Sequence, residues 1–191
     1  ETTVENFQRH YLLSSLEWLN YSALLCNNAA LILKDDQNNI LGDPTEAALL
    51  VMAGKFGFNT ETIKTEFKKI HEIPFDARRK KMTIIVQNLK NNKFFAFTKG
   101  ATDELLKISD QRIFRGRTSI LTRESREEFI TISEQYAQKA LRTLGFAYKE
   151  LPAKLFENPQ TIANLPKEEI EKNLIFIGIS GMIDSPRPEV K

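Results

Sequence analysis

With 191 residues, 41% of them hydrophobic and 27% charged, the chain has the composition of a globular domain. A chain of that length buries roughly 70% of its unfolded surface, which excludes disorder throughout. The 27 Lys and Arg against 25 Asp and Glu leave a net charge of +2 with the signs mixed along the chain, so no nucleic-acid partner is demanded. Apolar runs such as Leu174 to Ile179 fall far short of the ~20 residues of a membrane span. Neither a membrane span nor a secreted precursor is expected. Cys26 stands alone, and His10 and His71 lie far apart, so no internal disulfide or thiolate–imidazole metal cluster can form; a reducing, cytosolic setting fits. A start at Glu1 and an end just after a proline-rich turn lead to the expectation of a domain cut from something larger.

From Val4 to about Asn27 the apolar residues Phe7, Tyr11, Leu12, Leu16, Leu19, Ala23 and Leu24 recur every three or four positions, which predicts an amphipathic helix. Lys34 to Asn39 reads as a polar turn before Ile40-Leu41-Gly42. A second helix is predicted from Asp43 to about Phe56. Asp43 is its N-cap, Pro44 sits at the first position where a missing N–H costs nothing, and Glu46 reaches back as in a capping box.

Between Glu66 and Phe97 the period falls to two: Phe67, Ile70, Ile73 and Phe75, then Met82, Ile84 and Val86. The polar stretch Gln87 to Lys93 separates these from Phe94 to Thr98, so a hairpin of antiparallel strands is expected there. Helices are predicted at Ala101 to Ile108 and at Thr122 to Arg142, the latter running into a strand from Gly145 to Leu151. Pro152, Pro159 and Pro166 punctuate a connection with at most one short helix, Lys167 to Lys172, before a buried strand from Leu174 to Met182. The fold class is α+β: a mainly antiparallel β-sheet flanked by helices, in a single domain over residues 1–183.

The eight glycines form neither a Walker loop nor a dinucleotide fingerprint, and neither histidine stands in a local nucleophile signature. Four segments carry more chemistry. Phe75-Asp76-Ala77-Arg78-Arg79-Lys80-Lys81-Met82 sets a ring at a strand end before four cations, which suits a stacked base with anionic groups nearby, or else a core ring beside a solvated turn. Lys99-Gly100 ends a strand before a helix: Gly100 permits close approach of a flat ligand and the helix start favours an anion, or the pair is an ordinary turn. Glu46 can accept from an exocyclic amine or serve only the capping box. Arg142, in the last turn of its helix, is favoured there by the dipole and is also a fork for phosphate.

Taken in order, Gly42-Asp43-Pro44-Thr45-Glu46-Ala47-Ala48-Leu49, Phe75 to Met82, Lys99-Gly100-Ala101, Arg142-Thr143-Leu144 and Asp184-Ser185-Pro186-Arg187-Pro188-Glu189-Val190 resemble the nucleotide-binding domain of P-type cation-transporting ATPases, nearest the calcium-pump-like class II branch. Cys26-Asn27-Asn28-Ala29 is similar to the family's Cys-Asn segment. The resemblance implies an ATP-binding domain inserted in a phosphorylation domain, on the cytoplasmic side of an integral membrane protein. It implies Phe75 stacked on adenine, Lys99 and Gly100 lining the base pocket, and Glu46 accepting from the adenine amine. Lys80 would lie near ribose and phosphates, Arg142 would pair with the phosphate chain, and Met82 and Leu144 would wall the pocket.

No catalytic or metal-ligating residue is carried over, because the phosphorylated aspartate and the loops that serve Mg²⁺ have no counterpart here. The fragment is therefore expected to bind ATP without hydrolysing it, with Mg²⁺ held mainly by other domains. Its expected partners are the phosphorylation and actuator domains and membrane helices of the same parent. The fragment itself is expected to be a monomer with no nucleic acid bound and no membrane insertion. Residues 184–191 would begin the hinge back to the phosphorylation domain. Thr102 stands where the family usually has proline, and Ser185 where the hinge commonly has one. Two other readings compete: an interaction module binding RNA or acidic partners through Arg78 to Lys81 with Phe75 as a platform, and a stand-alone ATP-hydrolysing enzyme, for which no nucleophile is found.

Overall fold

The computed structural model describes residues 15–34 and 37–183. The predicted helix before residue 15 and the hinge segment Asp184 to Val190 lie outside the described residues. The chain runs through helix α1 (15–25), strands β1 (Ala30–Lys34) and β2 (Gln37–Leu41), helices α2 (Pro44–Lys55) and α3 (Thr60–Glu66), and strands β3 (Phe67–Asp76), β4 (Lys81–Asn88) and β5 (Phe94–Gly100). Then come α4 (Thr102–Lys107), β6 (Ser109–Phe114), β7 (Arg117–Ile120), α5 (Arg123–Gln138), β8 (Leu141–Leu151), a 3₁₀ turn (Ala153–Phe156), α6 (Pro159–Asn164), α7 (Lys167–Ile170) and β9 (Leu174–Ile183).

Seven strands form one sheet in the order β3-β4-β5-β8-β9-β6-β7, antiparallel except where β6 runs parallel to β9; β1 and β2 form a separate antiparallel pair. This is the predicted α+β class with a mainly antiparallel sheet. Its interior strand β4 is buried on both faces from Lys81 to Val86, because helices cover the sheet on each side. On one face Met82, Ile84, Val86, Phe95, Phe97, Phe146 and Tyr148 form a core with α1 and α2. Trp18 of α1 stacks on Tyr148 at 4.1 Å, which docks the helix. On the other face Ile73, Ile85, Ala96 and Leu151 meet Ile162 and Ile170, while Ala147 and Phe176 meet Leu105, Leu106 and Phe129. Phe97, Phe146 and Phe176 are fully buried, each worth ~1.5–3 kcal/mol in removal from water.

Several expectations need correction. Residues 37–39 belong to β2 rather than to a polar turn, since their backbone pairs with β1. The long later helix stops at Gln138, where Lys139 caps it and Ala140 takes a left-handed φ of 55°. Arg142 therefore lies on β8, whose first residues pair with β9, and not in a helical turn. The helix α3 and the β6–β7 hairpin add to the predicted elements, and the proline-punctuated connection holds a 3₁₀ turn and two short helices instead of at most one. Each proline there sits at or just before a helical start, where its locked φ is compatible with helix.

Candidate functional site

Strand register brings most of the candidate residues to one end of the α1–α2 face. Met82 pairs with Lys99, and Lys99 with Phe146. Paired residues share a face and the period is two, so Leu144 and Arg142 continue the same face down β8. Over this end comes the N-terminus of α2. Asp43 caps it by accepting from the backbone N–H groups of Thr45 at 2.7 Å and Glu46 at 3.3 Å. Burial pushes the Asp43 carboxyl up, but the hydrogen bonds from Thr45 and Glu46 outweigh it and the net pKa is lowered.

The capping box is only half present. The Glu46 side chain turns to the sheet, where Oε1 accepts from Lys99 Nζ at 2.8 Å and Oε2 from the Asn28 backbone N–H at 2.9 Å. Both ionic partners are largely buried, their side chains 7% and 15% exposed, so each charge depends on the other. Arg142 donates from a terminal guanidinium nitrogen to Thr45 Oγ1 at 2.7 Å, tying β8 to the same helix start. Cys26 lies beneath, its thiol donating to the Met82 carbonyl at 3.7 Å; burial pushes its pKa up to about 12.

Phe75 reaches this end by a bulge. Ile73 pairs with Thr83 and Asp76 with Lys81, so Pro74 and Phe75 together stand opposite the single residue Met82. An extra residue of this kind bends a strand and re-aims a side chain. Pro74 is tolerated because β3 is an edge strand. Phe75 is 63% exposed, which removes the reading of Phe75 as a core residue. The following turn is tight: Asp76 Oδ1 accepts from the N–H groups of Arg78 and Arg79, and Lys80 N–H returns to the Asp76 carbonyl at 2.7 Å. Lys80 takes a φ of 51° and its side chain is exposed.

The missing side chain of Gly100 is used by that turn. A Cβ there would sit 2.4 Å from the Lys80 carbonyl oxygen, on the face opposite Lys99. The four cations also divide. Arg79 forms a two-oxygen ion pair with Glu171 at 2.6 and 2.7 Å, and Lys81 Nζ lies 3.9 Å from the same carboxylate, while Arg78 and Lys80 are exposed.

Sequence reasoning missed the polar partners around the site. Asn28 donates from its amide to Glu72 Oε1 at 3.0 Å, in addition to its backbone bond to Glu46. The hydrogen bond from Lys69 holds the Glu72 carboxyl below the ordinary range. Asn28 follows the Cys-Asn pair and Glu72 stands three residues before Phe75, but only the folded sheet joins them. Among the described residues no group of three or more His, Cys, Asp or Glu side chains could hold a metal, and no helix is long and apolar enough to cross a membrane.

A family model described as P-type ATPase, cytoplasmic domain N, matches residues 15–189. The chain belongs to that family. The domain N is similar to a calcium-transporting ATPase of Bacillus subtilis (strain 168), 40% identical over 167 residues that cover 87% of this chain and 18% of the relative. It is 33% identical over 195 aligned positions to calcium-transporting ATPase 1 of Bacillus cereus, covering 99% of this chain and 21% of the relative. Calcium-transporting ATPase 1 of Saccharomyces cerevisiae is 32% identical over 169 residues, covering 87% and 16%. The domain thus spans about a fifth of the length of the curated relatives it matches. As a domain N it is a cytoplasmic piece of a membrane ATPase.

Proposed function

We propose that the domain binds ATP at the end of the sheet that carries Phe75, Lys80, Met82, Lys99, Glu46, Arg142 and Leu144, with Gly100 giving room for the Lys80 turn, and that its parent is an ATP-driven cation transporter. The observation that carries the reading is Phe75: an aromatic ring turned out by a bulge, 63% exposed, opposite the buried Met82 and beside the exposed Lys80. An exposed ring at a cationic turn is a stacking platform for a base that bears anionic groups. Adenine stacks on Phe75, with Met82 and Leu144 as apolar walls.

Glu46 supplies base recognition. A carboxylate has about four acceptor positions, and Lys99 and the Asn28 N–H occupy one on each oxygen, which leaves capacity for an exocyclic amine. Guanine presents a carbonyl where adenine presents that amine, so Glu46 discriminates against it. Lys80 and Arg142 carry the phosphates, and Mg²⁺, held mainly by other domains of the parent, would neutralise part of the phosphate charge.

This chain's share of the parent's reaction is positioning. It holds the base and directs the terminal phosphate toward an aspartate of the phosphorylation domain, reached through residues 184–191, and does not itself turn ATP over. The actuator domain and membrane helices of the parent are its other partners. A cationic surface for RNA or acidic proteins is disfavoured, because Arg79 and Lys81 face the buried Glu171 and leave only Arg78 and Lys80 outward.

The test is an amide NMR titration of the labelled chain with ATP and with GTP. Saturating shifts at Glu46, Phe75, Lys99 and Gly100 with ATP and scarcely any with GTP are expected, with an affinity on the order of millimolar. Shifts that follow ionic strength and gather at Arg78 to Lys81 whatever the base would overturn the reading.

A further inference from the structure

Glu171 follows α7 on the face of the sheet opposite the proposed nucleotide site, and its side chain is 4% exposed. A carboxylate buried to that degree is costly unless its charge and lone pairs are met. Here they are. Oε1 accepts from Thr83 Oγ1 at 2.7 Å and from an Arg79 guanidinium nitrogen at 2.7 Å, and Oε2 accepts from the same nitrogen at 2.6 Å. Thr83 in turn meets Thr98 Oγ1 at 2.9 Å, which links the carboxylate to both β4 and β5.

The other terminal nitrogen of Arg79 donates to the Pro74 carbonyl at 2.8 Å and lies 3.5 Å from the Lys81 carbonyl. These two carbonyls are the stems of one turn: Pro74 directly precedes Phe75, and Lys81 directly follows Lys80. One guanidinium, anchored by one buried carboxylate, thus clamps both ends of the segment that presents the ring and the outward lysine. A planar guanidinium suits this geometry, because one terminal nitrogen held between both oxygens of the buried carboxylate leaves the other fixed in the same plane and aimed at the turn.

We propose that Glu171 is a positioning residue for nucleotide binding, acting through Arg79 on the Phe75–Lys80 turn. The inference rests on the nucleotide reading above and deepens it, by assigning part of the affinity to a group that touches no ligand. Its partners Arg79 and Thr83 lie 92 and 88 residues away along the chain, so it is invisible to any local motif.

The test is ATP titration of the whole chain for wild type, Glu171→Gln, Arg79→Lys and Phe75→Ala, and for Glu171→Gln combined with Phe75→Ala. Glu171→Gln keeps the shape and the bond from Thr83 but removes the charge that holds Arg79. Arg79→Lys keeps a charge near Glu171 but cannot reach both stems, and it serves where the glutamine variant fails to fold.

Each is expected to weaken ATP by about fivefold, the scale of an indirect coupling. The Glu171→Gln loss should shrink in the Phe75→Ala background, since the ring it positions is gone. Wild-type affinity in both folded single variants, or an undiminished loss in the double variant, would overturn the proposal. If the wild-type chain itself fails to bind ATP, the nucleotide reading falls. Hydrogen exchange at the Lys80 and Ala101 amides, which bond to Asp76 O and Lys80 O, then still decides whether Glu171 holds the turn. Faster exchange in the variants supports the clamp, and unchanged exchange refutes it.

Discussion

Replacing Gly100 by alanine tests how the turn and the sheet fit together. An added Cβ would meet the Lys80 carbonyl oxygen at 2.4 Å, Lys81 Cβ at 2.6 Å and Lys81 Cα at 2.8 Å. Each falls roughly 1 Å short of a comfortable ~3.5 Å contact. Two of the three atoms are backbone, fixed by the Lys81–Gly100 pairing, so no side chain can swing aside. Overpacking costs about 1–3 kcal/mol, and the upper part of that range applies where backbone must move. Moving the Lys80 carbonyl also strains the bond it accepts from Ala101 N–H at 2.9 Å, worth about 1 kcal/mol more. The expected loss is therefore ~3 kcal/mol, a large share of the ~5–15 kcal/mol that stabilises a domain. Urea unfolding measures it as a lowered midpoint at unchanged slope. Gly54, inside α2 with nothing within 4 Å of its would-be Cβ, is the internal control, and Gly54→Ala should stabilise by ~0.5–1 kcal/mol. A Gly100→Ala loss below about 1 kcal/mol would refute the close approach.

Phe75→Ala should weaken ATP by about 1–3 kcal/mol while changing urea stability by under ~0.5 kcal/mol, because the ring is exposed; full affinity in the variant would sink the stacking assignment. Arg142→Ala should weaken ATP and ADP more than adenosine in parallel titrations, and equal losses for all three would place the guanidinium away from the phosphates. Glu72 has a folded pKa lowered first by its bond from Lys69, so its contribution is present above 4.5 and is lost as pH falls through the folded value. Glu72→Gln should accordingly flatten the fall in stability between neutral pH and the acid range, and an unchanged acid profile would count against that role. Cys26, raised from 9.0 to about 12, should resist alkylation at pH 8 until urea exposes it, and rapid labelling of the folded chain would contradict its burial. Its raised value also means that its contribution is intact below 9.0 and is lost as pH climbs toward about 12.

What could be read directly from the residues was local. Asp43-Pro44 starts α2 because a side-chain cap and a locked φ act within one turn of chain. The β4–β5 hairpin followed from the period-two run and its asparagine-rich turn. The β6–β7 hairpin escaped because its two-residue loop, Arg115-Gly116 with φ of 48° and 70°, has arginine where asparagine or aspartate is the usual signal. Arg142 falls in the predicted helix because Phe129, Ile132, Tyr136, Ala140 and Leu144 keep a helical spacing of three and four, and pairing with β9, distant in sequence, takes it into the sheet.

The sequence by itself determined the α+β class and the family, since the capping, periodic and motif signals behind them are set by neighbours along the chain. Tertiary structure alone decided what the motif segments touch. Glu46 left its capping box for Lys99, 53 residues away, because a buried ammonium demands a carboxylate more strongly than an exposed helix end does. Phe75 faces solvent because a bulge opposite Met82 turned it there, and Arg79 is held by a carboxylate 92 residues downstream. Contacts of that range depend on sheet register and helix docking, which no short stretch of residues encodes.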